Sequence, residues 1–260
     1  MKTVILAGGY GTRIGEETHL RPKPMIEIGE KPILWHIMKY YSAFNFNDFI
    51  ICCGHRGNVI KEYFADYYLH RSDVTFDYTD KGKGEMTVHG HTSEPWRVTL
   101  IDTGANVETG GRVKRIQDYV GNERFMLTYG DGVSNVDLSA LLNQHNRTGK
   151  LVTLTAIQPG GRFGVLNIDG DSVTSFREKA TEDGGWVNAG FMVAEPDLFN
   201  YLDDDRTVLE RAPLERLSSE RNLGVYKHFD YWQCMDTQRD KRALEELWNT
   251  GTAPWKVWQD

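Results

Sequence analysis

Hydrophobic residues in the first 158 positions alternate between short apolar runs of strand length and longer amphipathic stretches of helix length. In the stretch 31–44, Ile33, Leu34, Ile37, Met38 and Tyr41 fall on one helical face. The pattern predicts helices within 31–44, 58–70, 111–120 and 137–149, strands within 1–7, 48–54, 124–132 and 150–158, and further strand-like runs in 74–103. Strands that alternate with helices are typical of an α/β protein.

The hydrophobic pattern changes in the second half of the chain. Residues 162–179 contain two β runs around Asp169-Gly170-Asp171, which predicts a hairpin. Residues 186–202 join a strand to a short helix, and the tail from Tyr231 ends in a charged helix over 240–249. We therefore expect one doubly wound domain over 1–260, with β-rich insertions at roughly 160–235 and a C-terminal helical tail. Such sheets bind ligands at the carboxyl ends of their strands.

Composition and charge narrow the class of partner. The 260 residues are 40% hydrophobic and 26% charged, as in an ordinary globular protein, and the formal net charge is −7. This charge argues against a nucleic acid polymer as partner but leaves room for a nucleotide, which needs only a few local cations. No apolar run approaches membrane length, no export signal is visible, and Cys52, Cys53 and Cys234 form no disulfide pattern. These features predict a soluble cytoplasmic protein.

The first predicted strand stops at a turn rich in glycine, "AGGYGTR". Gly8, Gly9 and Gly11 let backbone N–H groups approach a bulky anion, and Arg13 adds a positive fork beside them. The dinucleotide pattern G-x-G-x-x-G fails because its third glycine position is Ile14, and no P-loop sequence occurs in the chain. The alternatives are a tight turn without a ligand and a nucleotide site of another class.

The stretch "LAGGYGTRIGEETHLRPKPMIEIGEKPILWH" resembles the signature of the sugar nucleotidyltransferases. The resemblance continues through "TYGDG", "FGVLNID", "FREK", "VNAG" and "YWQCMDTQRDKRALEELW". Four further phrases, "ICCGHRGNVIKEYF", "EPWRVTLIDTG", "TGGR" and "APWKVW", are similar to the glucose-1-phosphate cytidylyltransferase branch.

This resemblance implies a Rossmann-like nucleotidyltransferase domain with a mixed, mostly parallel sheet and small β insertions. It also implies the reaction of CTP with α-D-glucose 1-phosphate to give CDP-glucose and pyrophosphate, a step toward surface polysaccharides such as O-antigen. Homo-oligomers are expected from the relatives.

In-line attack of a sugar phosphate on the α-phosphorus needs positioning and charge neutralisation rather than a hydrolytic triad. The resemblance assigns these catalytic tasks to Arg13, Lys23, Asp131 and Lys179. It assigns Mg²⁺ to Asp131 and Asp236, whose carboxylates suit a hard cation. The alternatives to a metal role are a turn aspartate that caps its own backbone for Asp131 and a helix N-cap for Asp236.

The resemblance assigns substrate binding to two further groups of residues. The nucleotide set is Leu6, Ala7, Gly8, Gly9, Gly11, Thr12, Arg13, Lys23, Thr103, Gly104, Thr109, Gly110, Gly111, Arg112, Thr128 and Gly130. The sugar-phosphate set is Glu178, Lys179 and Asn188. Ala180 and Ala189, beside that set, differ from the residues that are usual in the family. The identity of the sugar therefore stays open. A nucleotidyltransferase for another base or acceptor, and a non-catalytic nucleotide-binding subunit, are the alternative functions.

Overall fold

A nine-stranded sheet forms the centre of the computed structural model, which describes residues 1–14, 21–79, 84–91, 94–158, 165–177 and 185–259. In chain order the described strands are β1 Lys2–Ala7, β2 Glu27–Ile28, β3 Lys31–Pro32, β4 Asp48–Cys53, β5 Ser72–Asp77, β6 Glu85–His91, β7 Arg97–Asp102, β8 Phe125–Tyr129, β9 Gly132–Ser134, β10 Val152–Ile157, β11 Val165–Asp169, β12 Ser172–Arg177, β13 Val187–Ala194, β14 Leu223–Lys227 and β15 Trp232–Cys234.

Helices cover both faces of this sheet. The described α-helices are α1 Ile33–Ser42, α2 Gly57–Ala65, α3 Thr109–Arg115, α4 Gln117–Val120, α5 Leu138–Thr148, α6 Ala212–Ser219 and α7 Gln238–Asn249. Short 3-10 helices occur at Thr12–Ile14, Lys23–Met25, Leu69–Arg71 and Pro196–Tyr201. Two hydrophobic cores result, one on each side of the sheet, because successive side chains of β1, β4, β8 and β13 point to opposite faces.

The sheet has the order β11-β12-β14-β10-β13-β8-β1-β4-β7. Strands β7, β4, β1 and β8 are mutually parallel, as are β10 and β14, whereas β13 runs antiparallel between β8 and β10. The fold class, a mixed and mostly parallel α/β sheet, is confirmed. Because the chain leaves β1 toward β4 and later returns to its other side as β8, a crevice opens where β1 and β8 end.

Local signals in the sequence predicted several elements well. Helix α5 begins at the capping Asp137, whose carboxylate accepts from the Ala140 N–H at 2.9 Å, and ends at left-handed Gly149. The predicted hairpin is the β11–β12 pair around Gly170. The helix predicted over 58–70 is shorter and ends at Ala65, because the next residues pack by aromatic contact, with Tyr67 stacked on Trp96.

The C-terminal tail returns to the N-terminal half of the chain. Thr237 and Asp240 form a reciprocal capping box at the start of α7, and Leu244 on that helix is fully buried. Trp255 is 1% exposed and donates a hydrogen bond from Nε1 to His36 Nδ1 at 3.3 Å. Across the described ranges, no helix combines the length and apolar character needed to cross a bilayer.

Candidate active site

A cavity of roughly 720 Å³ opens at the crevice between the ends of β1 and β8, a size that suits a small-molecule ligand. Most of the predicted nucleotide residues are in its wall, namely Leu6, Ala7, Gly8, Gly9, Gly11, Thr12, Lys23, Thr109, Arg112, Thr128 and Gly130. Asp131, Asn188 and Asp236 line the same cavity. The fold therefore brings the turn after β1 together with residues from five later parts of the chain.

The turn after β1 is shaped by a buried arginine. A Cβ on Gly8 would lie 2.0 Å from the Arg112 guanidinium, so a glycine at this position makes room for the arginine. Gly11 has a positive φ of 63°, a conformation that favours glycine. Gly9 has no neighbouring atom within 4 Å of where its Cβ would be, and it faces open space. The backbone of Arg13 lies in the Thr12–Ile14 helix, and its side chain lies outside the described part of the molecule.

Lys23 joins the two predicted metal ligands. Its Nζ lies 2.7 Å from Asp131 Oδ2 and 2.6 Å from Asp236 Oδ1, and the residue is only 8% exposed. Burial by itself lowers the pKa of Lys23, but the two carboxylates outweigh it and leave that pKa raised above its ordinary value. Lys23 is therefore a fixed positive charge in the wall of this cavity.

Two different elements deliver the carboxylates. Asp131 follows β8 of the central sheet, whereas Asp236 follows β15, which pairs antiparallel with β9 directly after Asp131. The Met235 N–H donates to the Asp131 carbonyl at 2.8 Å, and this bond fixes the spacing of the pair. Thr237, not Asp236, is the N-cap of α7, so the Asp236 side chain is turned toward Lys23 instead of toward the helix.

The donor set at this point suits a hard divalent cation. Two carboxylates converge on one position that already holds a cationic ammonium group. Within the described residues no cluster of three or more His, Cys, Asp or Glu side chains could hold a metal. A pair of carboxylates can be enough protein ligands for a hard cation such as Mg²⁺, which otherwise keeps water and phosphate oxygens.

Four residues of the predicted nucleotide set do not reach the cavity wall. Thr103 is fully buried and donates to the Cys53 carbonyl at 2.6 Å, and the Gly104 N–H donates to Asp102. Cβ atoms on Gly110 and Gly111 would collide with the backbone of 205–209. Close helix-to-loop packing therefore explains these two glycines. Arg112 does reach the wall, and it holds the 103–105 loop through bonds to Thr103 Oγ1 and the Gly104 carbonyl.

The wall around Asn188 contains a carboxylate that sequence reasoning missed. Glu210 accepts from Thr109 Oγ1 at 2.6 Å and from the hydroxyl of Tyr129. Burial and the nearby Glu210 raise the pKa of Tyr129 well above its ordinary value, so the phenol keeps its proton and acts as a donor. No local pattern marks Glu210, because it belongs to an ordinary charged segment before α6. Glu178, Lys179 and Ala180 lie outside the described residues.

The comparisons with known proteins agree on one family. The nucleotidyl transferase family model matches residues 2–236. The chain is 53% identical to glucose-1-phosphate cytidylyltransferase of Salmonella typhi over 260 residues, which is the whole of both chains. It is 41% identical to a probable glucose-1-phosphate cytidylyltransferase of Bacillus subtilis (strain 168) over 259 residues, 99% of this chain and 100% of the relative. The crystal structure of HddC from Yersinia pseudotuberculosis superposes with a TM-score of 0.75 at 20% identity, covering 95% of this chain and 99% of HddC.

Proposed function

Because the chain belongs to the nucleotidyl transferase family, we propose that it transfers a cytidylyl group from CTP to α-D-glucose 1-phosphate. The products are CDP-glucose and pyrophosphate. The observation that carries this choice of substrates is the 53% identity to the Salmonella typhi relative along the full length of both chains. The Lys23 ion pairs and the glycine turn supply the chemistry that the reaction needs.

The sugar phosphate is the nucleophile, and no side chain has to remove a proton from it near neutral pH. One of its oxygens forms a bond to the α-phosphorus of CTP while the bond from that phosphorus to the β-phosphate oxygen breaks. Lys23, fixed by Asp131 and Asp236, stabilises the negative charge that builds up between the reacting phosphates. The N–H groups of the turn after β1, with Arg13, hold the departing pyrophosphate.

Asp131 and Asp236 are the proposed ligands of Mg²⁺. Their two carboxylates would hold the cation, because a hard metal ion prefers carboxylate oxygens. When bound, Mg²⁺ supplies further neutralisation of phosphate charge. This chain's own contribution is to hold the two carboxylates in register through the β9–β15 pairing.

The remaining assignments follow the two sides of the cavity. Arg112, Thr109, Thr128 and Gly130 belong with the nucleotide, whereas Asn188 belongs with the sugar phosphate together with Glu178 and Lys179 from outside the described residues. Thr103, Gly104, Gly110 and Gly111 support the nucleotide side from behind the cavity wall, by positioning Arg112 and helix α3.

A matrix of four nucleotides against several sugar 1-phosphates tests the function, with pyrophosphate release as readout and mass spectrometry of the sugar nucleotide. We expect CTP with glucose 1-phosphate to give the highest kcat/KM. Turnover with a different base or acceptor would replace this assignment with the corresponding nucleotidyltransferase. Absence of pyrophosphate with every pair would indicate a nucleotide-binding subunit instead.

A homo-oligomer is also part of the proposal. The β5–β6 hairpin exposes apolar side chains, with Phe76 at 52% and Tyr78 at 75% accessibility, and their rings stack on each other. Such a patch favours burial against another copy. Light scattering of the wild type and of Phe76→Ser measures the assembled mass. We keep the cytoplasmic location, and the use of CDP-glucose for surface polysaccharides, as parts of the same proposal.

A further inference from the structure

Glu210 is a half-buried carboxylate in the cavity wall to which the proposed reaction gives no task. Both of its oxygens are held in place, Oε2 by the Thr109 hydroxyl at 2.6 Å and Oε1 by the Tyr129 hydroxyl. Thr109 is held in turn, because its Oγ1 accepts from the Leu209 N–H at 2.9 Å. A carboxylate fixed at both oxygens beside a ligand-sized space is preorganised to accept a further hydrogen bond.

Two hydrogen bonds organise the wall that contains Glu210 and Asn188. The Gly190 N–H donates to Asn188 Oδ1 at 2.9 Å, and the Tyr129 hydroxyl donates to Glu210. The first of these bonds fixes the orientation of the amide. Asn188, which lines the cavity, can present its Nδ2–H donors there, because its carbonyl oxygen is turned toward the Gly190 N–H.

Gly190 makes room for Tyr129 in this wall. Its φ is 84°, and a Cβ at this position would lie 2.3 Å from the Tyr129 ring. The ring therefore packs against the β13 backbone at Gly190, and its hydroxyl reaches Glu210. The arrangement depends on a glycine in the strand and on a tyrosine two residues before Asp131, and neither residue is needed for charge neutralisation at the phosphates.

A sugar hydroxyl both donates and accepts, so a site that recognises one needs a donor and an acceptor. Asn188 supplies the donor, and Glu210 is the acceptor in the same wall. Each Glu210 oxygen keeps accepting capacity after its bond to Thr109 or Tyr129. The other side chains along this wall, Phe176, Phe191 and Trp232, are aromatic, which suits the apolar face of a sugar ring.

We propose that Glu210 accepts a hydrogen bond from a ring hydroxyl of the acceptor sugar 1-phosphate, and that it thereby determines which sugar the enzyme uses. This inference rests on the proposed function, because it requires a sugar 1-phosphate in the cavity. The competing donor is the 4-amino group of cytosine, since Thr109 belongs to the predicted nucleotide set. The contact of the Tyr129 ring with Gly190, two residues from Asn188, favours the sugar.

The test compares wild type with Glu210→Gln, which keeps the shape and replaces one acceptor oxygen by an amide donor. A hydrogen bond to a charged group corresponds to about ten- to hundredfold in affinity. We expect KM for glucose 1-phosphate to rise by that factor while KM for CTP changes less than about twofold. Wild type should discriminate against deoxyglucose 1-phosphates, each of which lacks one ring hydroxyl. Glu210→Gln should lose this discrimination at one ring position and keep it at the others.

Two further variants keep the test decisive. Tyr129→Phe removes one of the donors that hold Glu210, and we expect a smaller rise in KM for the sugar phosphate. Glu220→Gln is the matched control, because Glu220 also accepts from a tyrosine hydroxyl, that of Tyr201, but on the exposed surface. This control should leave both KM values unchanged.

Three outcomes separate the hypotheses. Unchanged sugar kinetics in Glu210→Gln, with active wild type, would overturn the inference and leave the proposed function intact. A rise in KM for CTP alone would also overturn it, and would assign Glu210 to the base. Wild type that fails to use CTP with glucose 1-phosphate would refute the proposed function itself.

Discussion

The nucleotide side of the cavity is contributed mainly by one stretch of chain, whereas the wall around Asn188 is assembled from residues far apart in sequence. Residues 6–12 supply the turn after β1 as a continuous segment. The opposite wall combines Tyr129, Asn188 and Glu210, and the bonds that Glu210 accepts from Thr109 on the nucleotide side and from Tyr129 span 101 and 81 positions.

This difference separates reaction from specificity. In the proposed function, the phosphate chemistry depends on a few charges in a fixed geometry, centred on Lys23. The proposed choice of acceptor depends on hydrogen bonds that several loops and strands build together. A change in the assembled wall should therefore alter KM for one substrate, whereas a change at the charged centre should lower turnover with every substrate.

The largest expected effect is the loss of a charge at the centre. Asp131→Asn removes one partner of Lys23 and one proposed Mg²⁺ ligand, and removal of a single electrostatic group of this kind lowers kcat by about 10²–10³. Asp236→Asn should lower it comparably. Initial rates of pyrophosphate release across a Mg²⁺ series measure the effect, with Asp118→Asn on exposed α4 as the control. Near-normal turnover of Asp131→Asn at saturating Mg²⁺ would contradict the metal assignment.

The contrast between a continuous segment and an assembled wall also explains which features the sequence could predict. The turn after β1, the α5 cap at Asp137 and the hairpin around Gly170 depend on neighbouring residues, so local patterns reveal them. Lys23, Asp131 and Asp236 could be assigned through the family resemblance, and the fold brings them together. Their catalytic and metal roles stay predictions.

Glu210 and the end of α2 could not be predicted, because tertiary contacts determine them. Tyr67 leaves the expected helix to stack on Trp96, and Glu210 gains its neighbours only when distant segments meet. Gly110 and Gly111 show a related ambiguity. A glycine required by close backbone packing and one required by a ligand look alike in sequence.

The second prediction concerns the tail that supplies Asp236. His36 packs against Trp248 and Trp255, and burial lowers its pKa to about 4. Its Nε2–H donates to the Ile28 carbonyl at 2.8 Å while Nδ1 accepts from Trp255, so only the neutral ring satisfies both bonds. Between pH 6.5 and about 4 the unfolded chain binds a proton that the folded chain does not.

The contribution of His36 to stability is therefore complete above pH 6.5 and is lost as the pH falls toward 4. The loss amounts to roughly 3 kcal/mol. Urea unfolding at a series of pH values measures it, and His36→Gln, which keeps a donor and an acceptor without titrating, should flatten this part of the profile. An identical pH dependence in both proteins would exclude His36 as the cause.

The third prediction concerns the turn after β1, which is the side of the cavity formed by one continuous segment. Gly8→Ala places a Cβ 2.0 Å from the Arg112 guanidinium, which has to move and release its bonds to the 103–105 loop. We expect CTP to bind about tenfold more weakly, a change of ~1.4 kcal/mol, with less effect on the sugar phosphate. Gly9→Ala is the comparison for stability, since its Cβ meets no protein atom within 4 Å and should leave the thermal stability unchanged. Calorimetry measures CTP affinity, and equal thermal stability of the two variants would argue against a clash with Arg112.

The smallest expected effect lies in the assembled wall. Trp232 Nε1 donates to the Ala189 carbonyl at 2.8 Å, next to Asn188. Trp232→Phe removes this bond, worth about 1 kcal/mol, and lets the β13 backbone shift at the sugar side. KM for glucose 1-phosphate should rise about fivefold, while KM for CTP stays constant because the turn after β1 is unchanged. Trp96→Phe loses a similar indole bond, to Ser42 Oγ, away from the cavity, so it should lower stability without changing either KM. Equal changes in the two KM values of Trp232→Phe would mean that the assembled wall and the continuous turn act as one unit, and the separation of specificity from reaction would fail.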